Sequence, residues 1–155
     1  MKKLRKVLVM NGPNLNMIGT RETNIYGDTP VEVLEETLKT KGLEMGIEVD
    51  CFQSNHEGDL IDRIQRIDDE IGMIINPGGL SHTSICLRDA IKNLKIPVIE
   101  VHISNIFGRE KFRRQTLTGA VCYGLISGLG LSGYLLALEY LSCSTFVNKT
   151  PSVQE

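Results

Sequence analysis

A carboxylate and an imidazole stand two residues apart, at Glu100 and His102, near the end of the apolar run Ile96 to Ile103. In a strand, side chains at i and i+2 project from the same face, so the two can share one surface. The chain then breaks into a loop that carries Ser104, Asn105, Arg109 and Arg113. The strand-end amides of Ile103 and Ser104, with an arginine, would make a carboxylate clamp. An acid/base pair beside cationic anion binders suits chemistry on a small carboxylate better than it suits packing.

Two further segments hold unusual polar residues. Asn11 to Gly27 is a long connection with Asn14, Arg21, Glu22 and Tyr26 among the apolar Leu15, Met17, Ile18 and Ile25. Long structureless loops inside a domain are commonly functional or disordered, and the apolar residues argue for a packed segment. Gly19 and Gly27 bracket a portion that could act as a lid, in which Arg21 and Tyr26 are either working groups or a surface arginine and a half-buried tyrosine. Asn76-Pro77-Gly78-Gly79-Leu80-Ser81-His82-Thr83-Ser84 follows a strand and opens a helix. Its glycines permit close backbone approach, and a helix start favours an anion or a cluster of hydroxyls. The spacing matches neither the dinucleotide fingerprint nor the P-loop. His82 is read as a site residue or a helix cap. Asp89, seven residues later, falls on the same side of a regular helix, where it either reaches the site or is a solvated charge. His56, in a polar turn, is expected at the surface.

The elements that must position these groups alternate. Val7 to Met10 reads as a first strand, Ile47 to Gln53 as a second, Met73 to Ile75 as a third, Ile96 to Ile103 as a fourth and Ala120 to Ser127 as a fifth. Between them, Val31, Leu34 and Leu38 form the inward stripe of a helix capped by Asp28 or Thr29, with Pro30 at its first position and Gly46 at its stop. Leu60, Ile61, Ile64 and Ile67 line a second helix. Ile85, Leu87 and Ile91 point inward from a third, spanning Thr83 or Ser84 to Leu94, and a last helix spans Leu131 to Leu141. Strict alternation with helical crossovers implies α/β architecture: a five-stranded parallel sheet covered on both faces, in the doubly wound, flavodoxin-like order. Ligands in such folds bind beyond the carboxyl ends of the strands, near the switch in strand order. That rule selects the same three loops.

Length and charge narrow the classes. The 155 residues are expected to form one domain, and a net charge of −2 calls for neither nucleic acid nor an anionic membrane. No charge occurs between Arg114 and Glu139, a span long enough to cross a bilayer. Five glycines punctuate that span, and a strand, a Gly-Leu-Gly turn and an apolar helix account for it better. The short basic start runs into too brief an apolar stretch for a signal peptide, so a cytoplasmic protein is expected. Cys51, Cys86, Cys122 and Cys143 are widely spaced in apolar contexts and are expected to be inert core thiols; ligand clustering for a metal is absent.

Taken together, the segments resemble the type II 3-dehydroquinate dehydratases. The resemblance is carried by N-G-P-N-L-N at Asn11 to Asn16, R-E-x-x-x-Y-G at Arg21 to Gly27, N-P-G-G-L-S-H-T-S at Asn76 to Ser84, L-R-D-A at Leu87 to Ala90 and E-V-H-I-S-N at Glu100 to Asn105. R-E-x-F-R-R at Arg109 to Arg114 and G-L-G-x-x-G-Y-L-L-A-L at Gly128 to Leu138 complete it. The resemblance implies cofactor-free, metal-free dehydration of 3-dehydroquinate to 3-dehydroshikimate, on the shikimate or quinate pathway. It implies that Tyr26 is the base, that Arg21 favours its phenolate, and that a water held by Asn14, with Asn76 nearby, stabilises an enolate. A free phenol, of pKa about 10, needs such a cation to act as a base at neutral pH. His102 is implied as the acid, oriented by Glu100. Asn76, His82, Asp89, Ile103, Ser104 and Arg113 match the substrate-holding set, and Arg109 supports the lid. Trimers assembled into a homododecamer are implied as well. Thr23 stands where the family's lid often carries proline, which should loosen the lid. The rival from another class is a non-catalytic flavodoxin-like module that binds a small anion. A Schiff-base dehydratase barrel needs about 250 residues and a lysine that the three loops, Lys111 apart, do not offer.

Overall fold

The structure, a computed structural model, describes residues 3–20 and 22–143. β1 (Arg5–Asn11) leads through a loop to the short helix α1 (Thr23–Tyr26), then to α2 (Val31–Glu44) and β2 (Ile47–Gln53). α3 (Glu57–Gln65) returns to β3 (Glu70–Asn76), which is followed by α4 (Leu80–Thr83) and α5 (Ile85–Lys92). β4 (Val98–His102), β5 (Gly124–Ser127) and α6 (Ser132–Ser142) complete the described chain.

The sheet is parallel throughout, in the order β2-β1-β3-β4-β5. This is the doubly wound, flavodoxin-like order expected from the alternating pattern. Val7, Leu8, Val9 and Met10 are all fully buried, because a central parallel strand meets helices on both faces and gains from apolar side chains on each. Alternation sorts them. Val7 and Val9 pack with Leu34 and Leu38 of α2 and Tyr134 and Leu138 of α6, whereas Leu8 and Met10 pack with Leu60 and Ile64 of α3 and Leu87 and Ile91 of α5. The order reverses between β1 and β3. Asn11 pairs in register with Asn76 there, and β4 ends alongside at His102.

Several boundaries differ from the sequence expectation for physical reasons. β5 begins at Gly124, and Gly119–Val121 is a 3-10 turn instead of strand. The Thr116 hydroxyl accepts from the Gly119 amide at 2.9 Å, a local bond that competes with strand pairing. The helix expected from Thr83 or Ser84 does start there, as α5, with the Ser84 side chain accepting from the Leu87 amide at 2.8 Å as its cap, and it stops at Lys92, two residues short of Leu94. Ile85, expected inward, is therefore 63% exposed, since it lies two residues, about 200° around the helix, from inward Leu87. Pro30 occupies the cap position of α2 instead of its first turn, and neither Asp28 nor Thr29 caps it. In α6 the residues Tyr134, Ala137, Leu138 and Leu141 face inward, a spacing of i, i+3, i+4 and i+7. Among the described residues no helix is long and apolar enough to cross a membrane.

The cysteines divide. Cys51 and Cys122 are half-buried, and burial pushes the Cys51 thiol up to about 12. Cys86 and Cys143 are exposed, which corrects the expectation of four interior thiols. Cys86 sits beside Ile85 at the solvent side of the first turn of α5, where Ser84 rather than the apolar pattern sets the phase.

Candidate active site

The loops after β1, β3 and β4 meet over the carboxyl edge of the sheet and enclose a cavity of about 140 Å³. The first two are locked backbone to backbone. The Gly12 amide donates to the Asn76 carbonyl at 2.8 Å, and a Cβ on Gly12 would lie 2.4 Å from the Pro77 carbonyl oxygen. Only glycine permits that approach. Asn14 takes a left-handed conformation at φ 69°, and its amide donates to Asn55 Oδ1 at 2.9 Å. Leu15 and Ile18 are buried as a packed loop requires, whereas Met17 is exposed.

The lid between Gly19 and Gly27 folds into α1. Both glycines have positive φ, 88° and 80°, and a Cβ on Gly19 would meet the backbone of Thr29 and Pro30 at 2.9 Å. The lid thus enters and leaves through conformations that side chains resist. It carries Tyr26 to the cavity, where Arg109 Nη1 donates to the phenol oxygen at 2.6 Å and the guanidinium carbon lies 5.4 Å from the ring centre. Arg109 also donates to Ser104 Oγ at 3.3 Å. Arg109, expected to support the lid, thus meets Tyr26; Arg21, expected to favour the Tyr26 phenolate, lies outside the described residues. Glu110 stands between Arg109, at 3.6 Å, and Arg113, at 2.9 Å. Its own backbone amide foremost, helped by the Arg113 and Arg109 guanidiniums, holds its carboxyl below the usual carboxylate range against the opposing effect of desolvation.

Across the cavity, His102 Nε2 lies 2.6 Å from Glu100 Oε1, and Glu100 is fully buried. Spacing of i and i+2 on β4 produces this pair as expected. The His82 ring stacks on the His102 ring, 6.2 Å between centres and 22° between planes. His82 Nδ1 donates to the Gln115 carbonyl at 2.7 Å; a carbonyl only accepts, so the neutral ring presents an unprotonated Nε2. Asn76 is buried, with Oδ1 accepting from the Gly78 amide at 3.1 Å and Nδ2 donating to the Tyr134 hydroxyl at 3.0 Å. Tyr134 in turn donates to Asn11 Oδ1 at 2.6 Å. Burial raises the Tyr134 hydroxyl far above its ordinary range, so it keeps its proton at any working pH.

Asn14, Tyr26, Asn76, His82, His102, Ile103, Ser104, Arg109 and Arg113 all line the one cavity, with Glu100 behind His102. Asp89 does not: it is exposed on α5 and pairs with Arg88 at 3.3 Å. The break at Ser84 interrupts the regular helix that would carry it round to the side of His82. Thr116 and Thr118, which bond to Glu100, and Tyr134 with Asn11 were not singled out by sequence reasoning. The available signal was a tyrosine on the inward stripe of an otherwise apolar helix, since a buried phenol needs a partner. Among the described residues no group of three or more His, Cys, Asp or Glu side chains is placed to hold a metal ion.

Chemically, the cavity holds a phenol under a guanidinium on one side and an imidazole backed by a carboxylate on the other. Between them lie strand-end amides at Ile103 and Ser104 and a second arginine, Arg113. Such a set can move one proton off and another onto a small polyhydroxylated carboxylate.

Known proteins share this chain's sequence and fold. A family model described as "Dehydroquinase class II" matches residues 5–142. A 3-dehydroquinate dehydratase of Thermotoga maritima is 55% identical over 136 residues, covering 88% of this chain and 94% of that protein. One from Bacillus cereus is 54% identical over 136 residues, covering 87% and 93%. The crystal structure of the type II dehydroquinase from Butyrivibrio crossotus superposes with a TM-score of 0.87 at 47% identity, covering 89% of this chain and 97% of that one. That of the enzyme from Propionibacterium acnes gives 0.87 at 43% identity, covering 92% and 99%. With nearly its whole described length matched and its fold shared, the chain belongs to the class II dehydroquinase family.

Proposed function

We propose that this chain, as one catalytic domain, eliminates water from 3-dehydroquinate to give 3-dehydroshikimate, using its own side chains and no cofactor. The observation that carries the reading is the presence of two proton-handling pairs at one cavity, Tyr26 with Arg109 at 2.6 Å and His102 with Glu100 at 2.6 Å. It is supported by relatives named 3-dehydroquinate dehydratase at 54 to 55% identity.

Tyr26 as phenolate takes the proton from the carbon beside the ketone. The Arg109 guanidinium stabilises that phenolate by a charge-assisted bond. The electron pair moves into the ketone oxygen, and the resulting enolate is met by a water held at Asn14, with Asn76 close by. The enolate then collapses, expelling the hydroxyl of the neighbouring carbon as His102 protonates it. Glu100 stabilises the imidazolium and orients the ring. Ile103 and Ser104 amides with Arg113 grip the substrate carboxylate, and His82 offers Nε2 to a ring hydroxyl. Arg21 belongs to the same lid and Asp89 to the same substrate-holding set by family resemblance. Assembly into a homododecamer is part of the same reading and is checked by light scattering.

A non-catalytic anion-binding module would leave the Tyr26–Arg109 pair without a task. Purified protein mixed with 3-dehydroquinate should generate the conjugated enone, followed as rising ultraviolet absorbance. Folded protein that produces no rise would refute the function.

A further inference from the structure

Glu100 is fully buried, yet four groups converge on its two oxygens. Oε1 accepts from His102 Nε2 at 2.6 Å and from Thr116 Oγ1 at 2.7 Å. Oε2 accepts from Thr118 Oγ1 at 2.5 Å, with Cys122 Sγ at 3.9 Å. Thr116 already accepts from the Gly119 amide at 2.9 Å, so its own proton is free to point at Glu100; the Ser81 carbonyl, at 3.4 Å, is the poorer acceptor. Thr118 is fully buried, and its other hydroxyl neighbour, Thr116 Oγ1 at 3.3 Å, is the more distant acceptor. Cys122 has the Thr118 carbonyl nearer, at 3.3 Å, so the donors that Glu100 answers are His102 and the two threonine hydroxyls, which an acceptor-only carboxylate satisfies together. His102 must then carry its proton on Nε2 in the neutral ring, which leaves Nδ1 to exchange a proton with the substrate.

We propose that Thr118 and Thr116 are positioning residues for proton transfer at His102: they fix Glu100 in one orientation and share its charge, so that the imidazole keeps one tautomer and gives up its proton readily. The proposal rests on the reading of His102 as the acid.

A buried carboxylate answered by the imidazole alone would hold the imidazolium strongly and make it a reluctant acid. Two hydroxyl donors draw part of that charge away. The other titratable or charged groups around the pair are Cys122 behind Glu100, His82 stacked on His102, and Tyr26, Arg109 and Arg113 across the cavity. Burial, with the charge of Glu100 adding to it, pushes the Cys122 thiol up and keeps it a neutral donor. A change confined to the hydroxyls leaves all of these in place.

The test is a titration of the His102 ring nitrogens by NMR in the wild type, Thr118→Val and Thr118→Ser, alongside kinetics on 3-dehydroquinate. In the wild type the neutral ring should show its proton on Nε2. In Thr118→Val the titration midpoint should rise by about half a pH unit or more. The alkaline limb of the kcat profile should move up with it, with kcat about two- to threefold lower and KM within about twofold. Thr118→Ser should restore midpoint and rate. A folded Thr118→Val with an unmoved midpoint overturns the proposal, whether or not its kcat falls, since a merely structural hydroxyl would change stability without moving the titration. Should Thr118→Val fail to fold, Thr116→Val gives the same readouts at the other oxygen, and an unmoved midpoint there overturns it equally. A wild type inactive on 3-dehydroquinate would sink the functional reading alone, because the imidazole titration needs no substrate.

Discussion

Replacing Tyr134 with phenylalanine removes one oxygen atom and tests how the ends of β1 and β3 are held together. The hydroxyl donates to Asn11 Oδ1 at 2.6 Å and accepts from Asn76 Nδ2 at 3.0 Å, and all three residues are buried. Asn76 cannot rescue itself by flipping its amide, because its Oδ1 already accepts from the Gly78 amide at 3.1 Å and a flip would set donor against donor. Tyr134→Phe therefore orphans an acceptor on β1 and a donor on β3, each costing about 1–3 kcal/mol. Part of this is returned, since the mutant no longer desolvates a phenol hydroxyl, a relief of about 1–3 kcal/mol. The ring stays, so no large cavity opens. The net expected loss is about 2 kcal/mol, which at a urea m-value of about 2 kcal/mol/M lowers the unfolding midpoint by about 1 M. Urea unfolding followed by circular dichroism reads this directly. The second expectation is functional: Asn76 lines the cavity, so its loosened amide should raise KM more than it lowers kcat. A midpoint shift under about 0.2 M at unchanged m would refute the account of the bridge as a shared lock.

Tyr26→Phe should abolish turnover, measured by enone absorbance, while calorimetry shows substrate binding largely retained; preserved activity would remove Tyr26 from the role of base. Arg109→Met should lower kcat by about 100-fold or more, with much of the loss at acidic and neutral pH regained as pH rises toward phenol ionisation; a pH-independent loss would assign Arg109 to substrate binding instead. Glu70 tests linkage away from the site. Burial opposes its ionisation, but the Asp68 amide and Arg63, at 2.9 Å each, win and hold its carboxyl below the usual range. A depressed folded-state value means stabilisation present above the unfolded value, about 4.3, and lost as pH falls through the lower folded one. The stability gap between wild type and Glu70→Gln should thus be full at pH 7 and close below about pH 4; a gap constant in urea midpoints across that range would refute it.

Much of this was legible in the chain because burial on both faces keeps Val7 to Met10 of β1 and Ile71 to Ile75 of β3 free of polar side chains until the strands end at Asn11 and Asn76, and leaves Glu100 as the one charge inside β4 before it ends at His102. Where the apolar run stops, the loop and its chemistry begin. Glu100 and His102 could be paired from spacing alone, since a strand has period two. The contact of Tyr26 with Arg109 could not be read so, because 83 residues separate them. The start of α5 at Ser84 was legible, but not its phase: the cap turns Ile85 to solvent, where an apolar residue in a helical stripe was expected inward. The start of β5 was hidden in the same way, by threonine hydroxyls that curl a β-branched segment onto Glu100 instead of letting it pair.

The hydroxyl that locks Asn11 comes from 123 residues farther along, and the Arg5 side chain donates to the Ser142 carbonyl across 137. During synthesis β1 emerges first and its polar strand end must wait for nearly the whole chain to follow. Parallel pairing of this kind has no local hairpin to speed it, and such long separations slow folding and prolong exposure of unfinished surface. An incomplete chain lacking α6 would carry every residue implicated in proton transfer yet leave the floor beneath them unlocked. Closure of α6 on the first strand thus completes the floor of the pocket.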